Sequence, residues 1–266
     1  MKKIRFDEVT LTVAPTREEM GAIAEEEAAA YITDALGRKD RLRCVFAAAP
    51  SQNEFLARLF SDERIDFSRV EAFHMDEYIG LKQEDSRTFR AFLKRHFDSK
   101  ELLDVHYMDG TNDPDKEIAE YGAKVTEKPI DIVFMGIGEN GHIAFNDPGV
   151  ADFEDPAIMK IARLDDVCRM QQVHDGCFAD IASVPQYALT LTIPALISAE
   201  KVFCIVPAEN KAEALKHAML DAVSPDFPAT ILRTKKGTRV YADQSSFSLL
   251  EQAMPDDVNS LESEDE

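Results

Sequence analysis

Short apolar, β-branched runs alternate along this chain with longer stretches of helical period. The runs predict strands over residues 9–13, 44–48, 70–74, 130–135, 188–192, 202–206 and 239–242. Helices are predicted between them over 17–37, 53–61, 86–96, 115–126 and 210–220. Thr16 followed by Glu19 marks the start of the first helix, and Gly37 marks its end. Such alternation predicts a three-layer α/β fold, a mostly parallel, Rossmann-like sheet with helices on both faces. No internal repeat or long Gly/Ser linker divides the sequence, so residues 1–252 read as a single domain. In this architecture sites form where loops leave the carboxyl ends of strands. Three chemically unusual stretches fall there: "APSQN", "MDEY" and "GENGHIAFNDP".

Charge narrows the choice of partners. With 50 acids against 30 bases the net charge is −20, which argues against a nucleic-acid groove or an anionic membrane surface. Part of that charge belongs to "PDDVNSLESEDE", so residues 253–266 are expected to form an acidic, disordered tail. The opening "MKKIRFDEVTLTVAP" lacks an apolar core of signal-peptide length, and no apolar stretch approaches a membrane span. A soluble, cytoplasmic protein is expected. Cys44, Cys168, Cys177 and Cys204 form no C-x-x-C pair, which favours free thiols over disulfides or zinc.

The run at 130–135 leads into "GIGENGHIAFNDP", where Gly136, Gly138 and Gly141 fit the dinucleotide fingerprint G-x-G-x-x-G. That fingerprint needs a helix to begin inside the glycines, with its amino terminus facing the pyrophosphate. A helix begun at Gly141 would break at Pro148, so no dinucleotide cofactor is expected. The loop suits another task. Its glycines let backbone amides approach a ligand, His142 moves protons near neutral pH, and Asp147 is placed to hold its tautomer. A histidine bonded to a loop carbonyl is the alternative.

"VEAFHMDEYIGL" runs as a strand into the adjacent acids Asp76 and Glu77. These form either an acid-rich turn with one helix cap, or a site in which one carboxylate is a base over the substrate. Asp76, Glu77 and His142 have no helical or zinc-ribbon spacing, so no metal is expected.

With "FHMDEYIGL" and "MGIGENGHIAFNDPG", the sequence resembles the glucosamine-6-phosphate deaminase (isomerase) family, whose members pair M-D-E-Y-x-G-L with G-x-G-x-[DN]-G-H-I-[AG]-F-N-E-P-G. The similarity runs from about residue 8 to 245 and includes "VPQYALTLTIPAL" and "ENKAEALKHAM". The resemblance implies a fold of the sugar-phosphate isomerase type. It also implies cofactor-free conversion of a 2-amino-2-deoxyhexose 6-phosphate, glucosamine 6-phosphate above all, to fructose 6-phosphate and ammonia. His142 then opens the pyranose ring, Asp76 is the C2 base, and Asn140 and Asp147 flank and tune the histidine. Aspartate and asparagine both occur in the family at the position of Asn140, which cannot itself carry charge to support an imidazolium. Asp147 stands where glutamate is usual; one methylene shorter, it is expected to reach His142 only after a loop adjustment.

The phosphate site departs further from the family. In place of a T-G-x-T-P loop the chain has "AAAPSQNEF", leaving Ser51, Gln52 and the first amides of the next helix to hold the anion. Gly136, Gly138 and Gly141 join them as substrate-binding positions. Lys211 matches a family phosphate lysine, and a lysine in a first helical turn opposes the macrodipole unless it meets an anion. Arg169, with Gln172 nearby, is the candidate for the phosphate arginine, with a solvated helix arginine as the alternative. The predicted partner is a small-molecule sugar phosphate, and a homo-oligomer is left open. Two other functions stay in view: a 6-phosphogluconolactonase-like hydrolase, which needs no C2 proton abstraction, and a sugar-phosphate sensor without turnover.

Overall fold

The computed structural model describes residues 1–254. In chain order the elements are β1 (Lys2–Phe6), β2 (Val9–Ala14), α1 (Arg17–Leu36), β3 (Leu42–Phe46), α2 (Asn53–Leu59), β4 (Val70–His74), β5 (Asp76–Tyr78), α3 (Phe89–Phe97), β6 (Asp104–His106) and α4 (Pro114–Thr126). There follow β7 (Ile132–Met135), β8 (Met159–Arg163), α5 (Asp166–His174), β9 (Tyr187–Leu191), α6 (Ile193–Ile197), β10 (Lys201–Val206), α7 (Ala212–Leu220), β11 (Thr238–Asp243) and α8 (Gln244–Ala253). Eight strands form the main sheet in the order β1-β2-β11-β10-β7-β3-β4-β6. Only β1 is antiparallel to its neighbour.

Both faces of this sheet are covered, as the uniformly apolar runs require. Along β10, Val202, Cys204 and Val206 join one buried cluster, together with Tyr121 of α4, Leu215 of α7 and Phe247 of α8. Phe203 and Ile205 point the other way, into a cluster with Ala28 and Ile32 of α1, Phe55 of α2 and Leu93 of α3. Alternate side chains of β7 divide in the same manner. On the second face Phe46, Phe134 and Phe203, from three adjacent strands, stack at 5.1 and 5.5 Å between centroids.

Two expectations are corrected. The run at 188–192 is a strand, but β9 belongs to a separate antiparallel sheet ordered β5-β9-β8. Its inward residues are as apolar as those of the main sheet, so periodicity alone does not separate the two. The ordered chain also passes residue 252, since α8 reaches Ala253 and Met254 is buried. The rest of the expected acidic tail, residues 255–266, lies outside the described residues. Among the described residues no helix is long and apolar enough to cross a membrane.

Sheet order fixes where a site can form. From β3 the chain builds outward through β4 and β6, then returns to place β7 on the other side of β3. The loops leaving β3 and β7 therefore diverge at a topological switch point, with the loop after β4 alongside.

Candidate active site

These three loops, the helices α3 and α5 and the turn that leads into α7 surround a cavity that opens to solvent. Asp76, His142, Ser51, Gln52, Gly136, Gly138 and Lys211 all line it. The sequence separates them by up to 160 positions; the switch point brings them together.

Asp76 and Glu77, indistinguishable in the sequence, have opposite environments. They occupy successive positions of β5, held by its pairing with β9, so their side chains leave opposite faces. Asp76 faces the cavity. Burial, with the charge of Glu77 added, pushes its carboxyl well above the usual carboxylate range. Glu77 instead accepts the backbone N–H groups of Tyr78, Phe89 and Arg90 at 2.9, 3.1 and 2.9 Å, and so caps α3. Burial pushes Glu77 up to about 7 against those bonds. His74, which the sequence did not single out, is buried beside them and accepts the Met108 N–H at Nε2 (2.7 Å). Burial lowers its pKa to about 3, so it stays neutral.

The glycine loop is shaped around His142. Its imidazole lies directly on Gly138, where an added Cβ would fall 2.1 Å from the ring. Gly138 N–H bonds the His142 carbonyl and Gly141 N–H the Gly138 carbonyl, at 2.9 and 3.0 Å. Gly141 does not line the cavity: its φ of +82° turns the chain, and its Cα packs on the Phe227 ring. Asn146, fully buried, donates to the carbonyls of Ile143 and Leu191 and ties the loop to β9. This folding-back brings Asp147 beneath the histidine. Its Oδ1 lies 3.1 Å from His142 Nδ1, so the shorter side chain reaches without any loop adjustment. Asn140 Oδ1 lies 2.7 Å from the same nitrogen. Neither Asn140 nor Asp147 lines the cavity; they stand behind the imidazole and act through it. Burial of Asp147 is outweighed by hydrogen bonds and charge from His142 and Asn140, which hold its carboxyl below the usual range. With Nδ1 engaged, Nε2 is the ring nitrogen left to the cavity.

The metal set weighed in the sequence does not converge, because Glu77 is turned into α3. Among the described residues the His/Cys/Asp/Glu group that does converge is His142, Asp147 and Cys168, with potential ligand atoms within 4.8 Å of one another. There Asp147 serves as acceptor to His142 and Asn140.

Lys211 lines the same cavity and is 4% exposed, and among the described residues no carboxylate lies within ion-pair distance of its ammonium. Burial lowers its pKa, while Asp175 and Glu139 at longer range oppose that shift. Burying an ammonium without a partner is costly unless an anion meets it. Gln52, Gln171 and Gln172, all buried, line the same cavity, as does Ser51, whose Oγ accepts from Gln52 Nε2 at 3.0 Å. Arg169 is not among them. On α5 the stripe Cys168, Gln171 and Gln172 faces inward, and Arg169 is turned off it to bond Asp166 and the carbonyls of Ile181 and Val184. Gln171 was missed in the sequence, and the helical spacing from Cys168 is the signal that would have found it. Lys211→Met is expected to raise the KM or Kd for a phosphorylated sugar about ten- to a hundredfold and leave an unphosphorylated sugar unaffected. Titration of both sugars against the variant checks this.

Residues 15–241 match the model of the family described as glucosamine-6-phosphate isomerases/6-phosphogluconolactonase, and the chain belongs to this family. A glucosamine-6-phosphate deaminase of Exiguobacterium sp. is 33% identical over 72% of this chain and 74% of its own. One from Lactobacillus delbrueckii subsp. bulgaricus is 32% identical over 70% and 79%. A solved monomeric glucosamine-6-phosphate deaminase superposes with a TM-score of 0.81 at 26% identity, covering 90% of this chain and 99% of the other. The 6-phosphogluconolactonase of Thermotoga maritima shares the fold, with a TM-score of 0.72 at 16% identity over 88% and 99%.

Proposed function

We propose that the protein converts a 2-amino-2-deoxyhexose 6-phosphate, glucosamine 6-phosphate first among them, to fructose 6-phosphate and ammonia. The observation that carries this reading is one cavity lined by a buried carboxyl (Asp76), a histidine with its outer nitrogen free (His142) and a buried unpaired ammonium (Lys211). Lys211, Ser51 and the glutamine amides receive the phosphate. His142 Nε2 moves a proton between the anomeric hydroxyl and the ring oxygen, which opens the pyranose. Asp76 removes the C2 proton to give an enolamine and returns a proton to C1, leaving an imine at C2. Water adds at C2 and ammonia leaves, so one water is consumed for each ammonia released. A base with raised proton affinity suits this step, because removing a proton from carbon needs more than an ordinary surface carboxylate supplies. The four free thiols fit a reducing compartment.

Turnover in deuterated water tests the step that defines the reaction. The Asp76 carboxyl exchanges its proton with solvent, so the ketose product is expected to carry deuterium at C1. Lactone hydrolysis leaves the hydrogens at C1 and C2 untouched; absence of any ketose product would contradict the reading, whereas ketose without deuterium at C1 would mean that the same carboxyl carries the C2 proton to C1 without exchange.

A further inference from the structure

Asp165 lies outside the cavity and caps α5, its Oδ1 accepting the Cys168 N–H at 2.6 Å. Two further contacts exceed what a cap requires. Its Oδ2 accepts from Asn140 Nδ2 at 2.9 Å, and its backbone N–H donates to Asp147 Oδ2 at 3.3 Å. It therefore touches both residues that engage His142 Nδ1.

The carboxamide of Asn140 has only one orientation compatible with its neighbours. Its Oδ1 accepts the His142 backbone N–H at 3.1 Å, a group that can only donate. Its Nδ2 faces Asp147 Oδ1 at 3.1 Å and Asp165 Oδ2, and ionised carboxylates can only accept. With Oδ1 pinned toward the ring, His142 Nδ1 meets two acceptors, Asn140 Oδ1 and Asp147 Oδ1. That nitrogen must carry the proton, which leaves the lone pair of neutral His142 on Nε2, toward the cavity.

We propose that Asp165 is a positioning residue: it orients the Asn140 carboxamide and, through it, sets the tautomer of His142. An aspartate at position 140 would need no such partner, because both of its oxygens accept. Asparagine has a wrong way round, and the Asp165 carboxylate disfavours it. Asp165 also places a second carboxylate, beside Asp147, in a network where Asn140 contributes none. The catalytic consequence rests on His142 being the ring-opening group, but the tautomer can be read without any turnover.

The test is Asp165→Asn, which keeps the size and the capping oxygen. Capping Cys168 with that oxygen aims the new amide nitrogen at Asn140 Nδ2, donor against donor, and the orientation of Asn140 is released. The imidazole ¹⁵N–¹H spectrum of the ligand-free protein is expected to show an Nε2–H form beside the Nδ1–H form, since Asp147 Oδ1 is then the one acceptor left to hold the proton on Nδ1. Asp165→Ser, which retains a good cap but not the contact, is expected to do the same and separates the effect from helix capping. For a cyclic substrate kcat should fall about tenfold or more with KM little changed. Combining Asp165→Asn with Asn140→Asp lets the new amide donate to the new carboxylate, and should restore the Nδ1–H form and return kcat to within about threefold of the parent. Retention of the Nδ1–H tautomer as the single neutral form in both single variants would overturn the proposal, as would a double variant no better than Asp165→Asn. A shifted tautomer with parental turnover would uphold Asp165 as the orienting residue and remove His142 from ring opening instead.

Discussion

Asp76→Asn is expected to lower kcat by about three orders of magnitude, leave KM nearly unchanged, and raise the melting temperature at neutral pH. The loss of rate follows from removing a base that acts only in the transition state. The gain in stability follows from the cost of keeping a charge there. A carboxyl whose folded pKa lies above its unfolded value binds its proton more tightly when folded. Its advantage to the folded state is complete below the unfolded value near 4 and is lost as pH rises through the raised folded value. Asp76 is raised by burial and by Glu77, so both acids weaken the fold as pH climbs toward neutrality. Melting curves of parent and variant should therefore diverge as pH rises above the unfolded carboxylate value of about 4, with the variant more stable. In the parent, kcat/KM should fall on acidification at a pH above the ordinary carboxylate range, because the base must be ionised to act. A variant that keeps most of its rate, or melts lower at neutral pH, would remove Asp76 from this role.

His142→Gln is expected to separate two forms of substrate. Turnover of the cyclic sugar phosphate should drop about a hundredfold or more, since among the described residues no other imidazole lines the cavity. A ring-opened analogue needs only Asp76 and the anion contacts, and its turnover should stay within a few-fold. The substitution leaves the Gly138–His142 and Gly141–Gly138 bonds in place, as these use backbone groups. Equal losses for both substrates would make the loop a clamp on the sugar instead of an acid–base device.

The central strands were legible because burial on both faces leaves continuous apolar runs, as in β4, whose ends match the predicted ones. The small sheet was not. β5 is three residues long, and two of them are the acids that first marked a site. Asp76, His142 and Lys211 were singled out because each is a reactive type at a strand end or a helix start, and the structure places all three on one cavity. Arg169 was chosen for its charge, whereas the face of α5 decides, and that face presents glutamines. Asp165 was not singled out in the sequence, because its second oxygen meets Asn140 only once the loop folds back. Asp147 was judged by its length alone, and the path of the loop, set by Gly141 and Asn146, makes up the missing methylene.

Incubation of the protein with a panel of hexosamine 6-phosphates, scoring ammonia and ketose phosphate together, tests the central claim most directly. Glucosamine 6-phosphate is expected to yield equal amounts of ammonia and fructose 6-phosphate without added metal or cofactor. Hydrolysis of 6-phosphogluconolactone with no ammonia released from any aminosugar phosphate would contradict it.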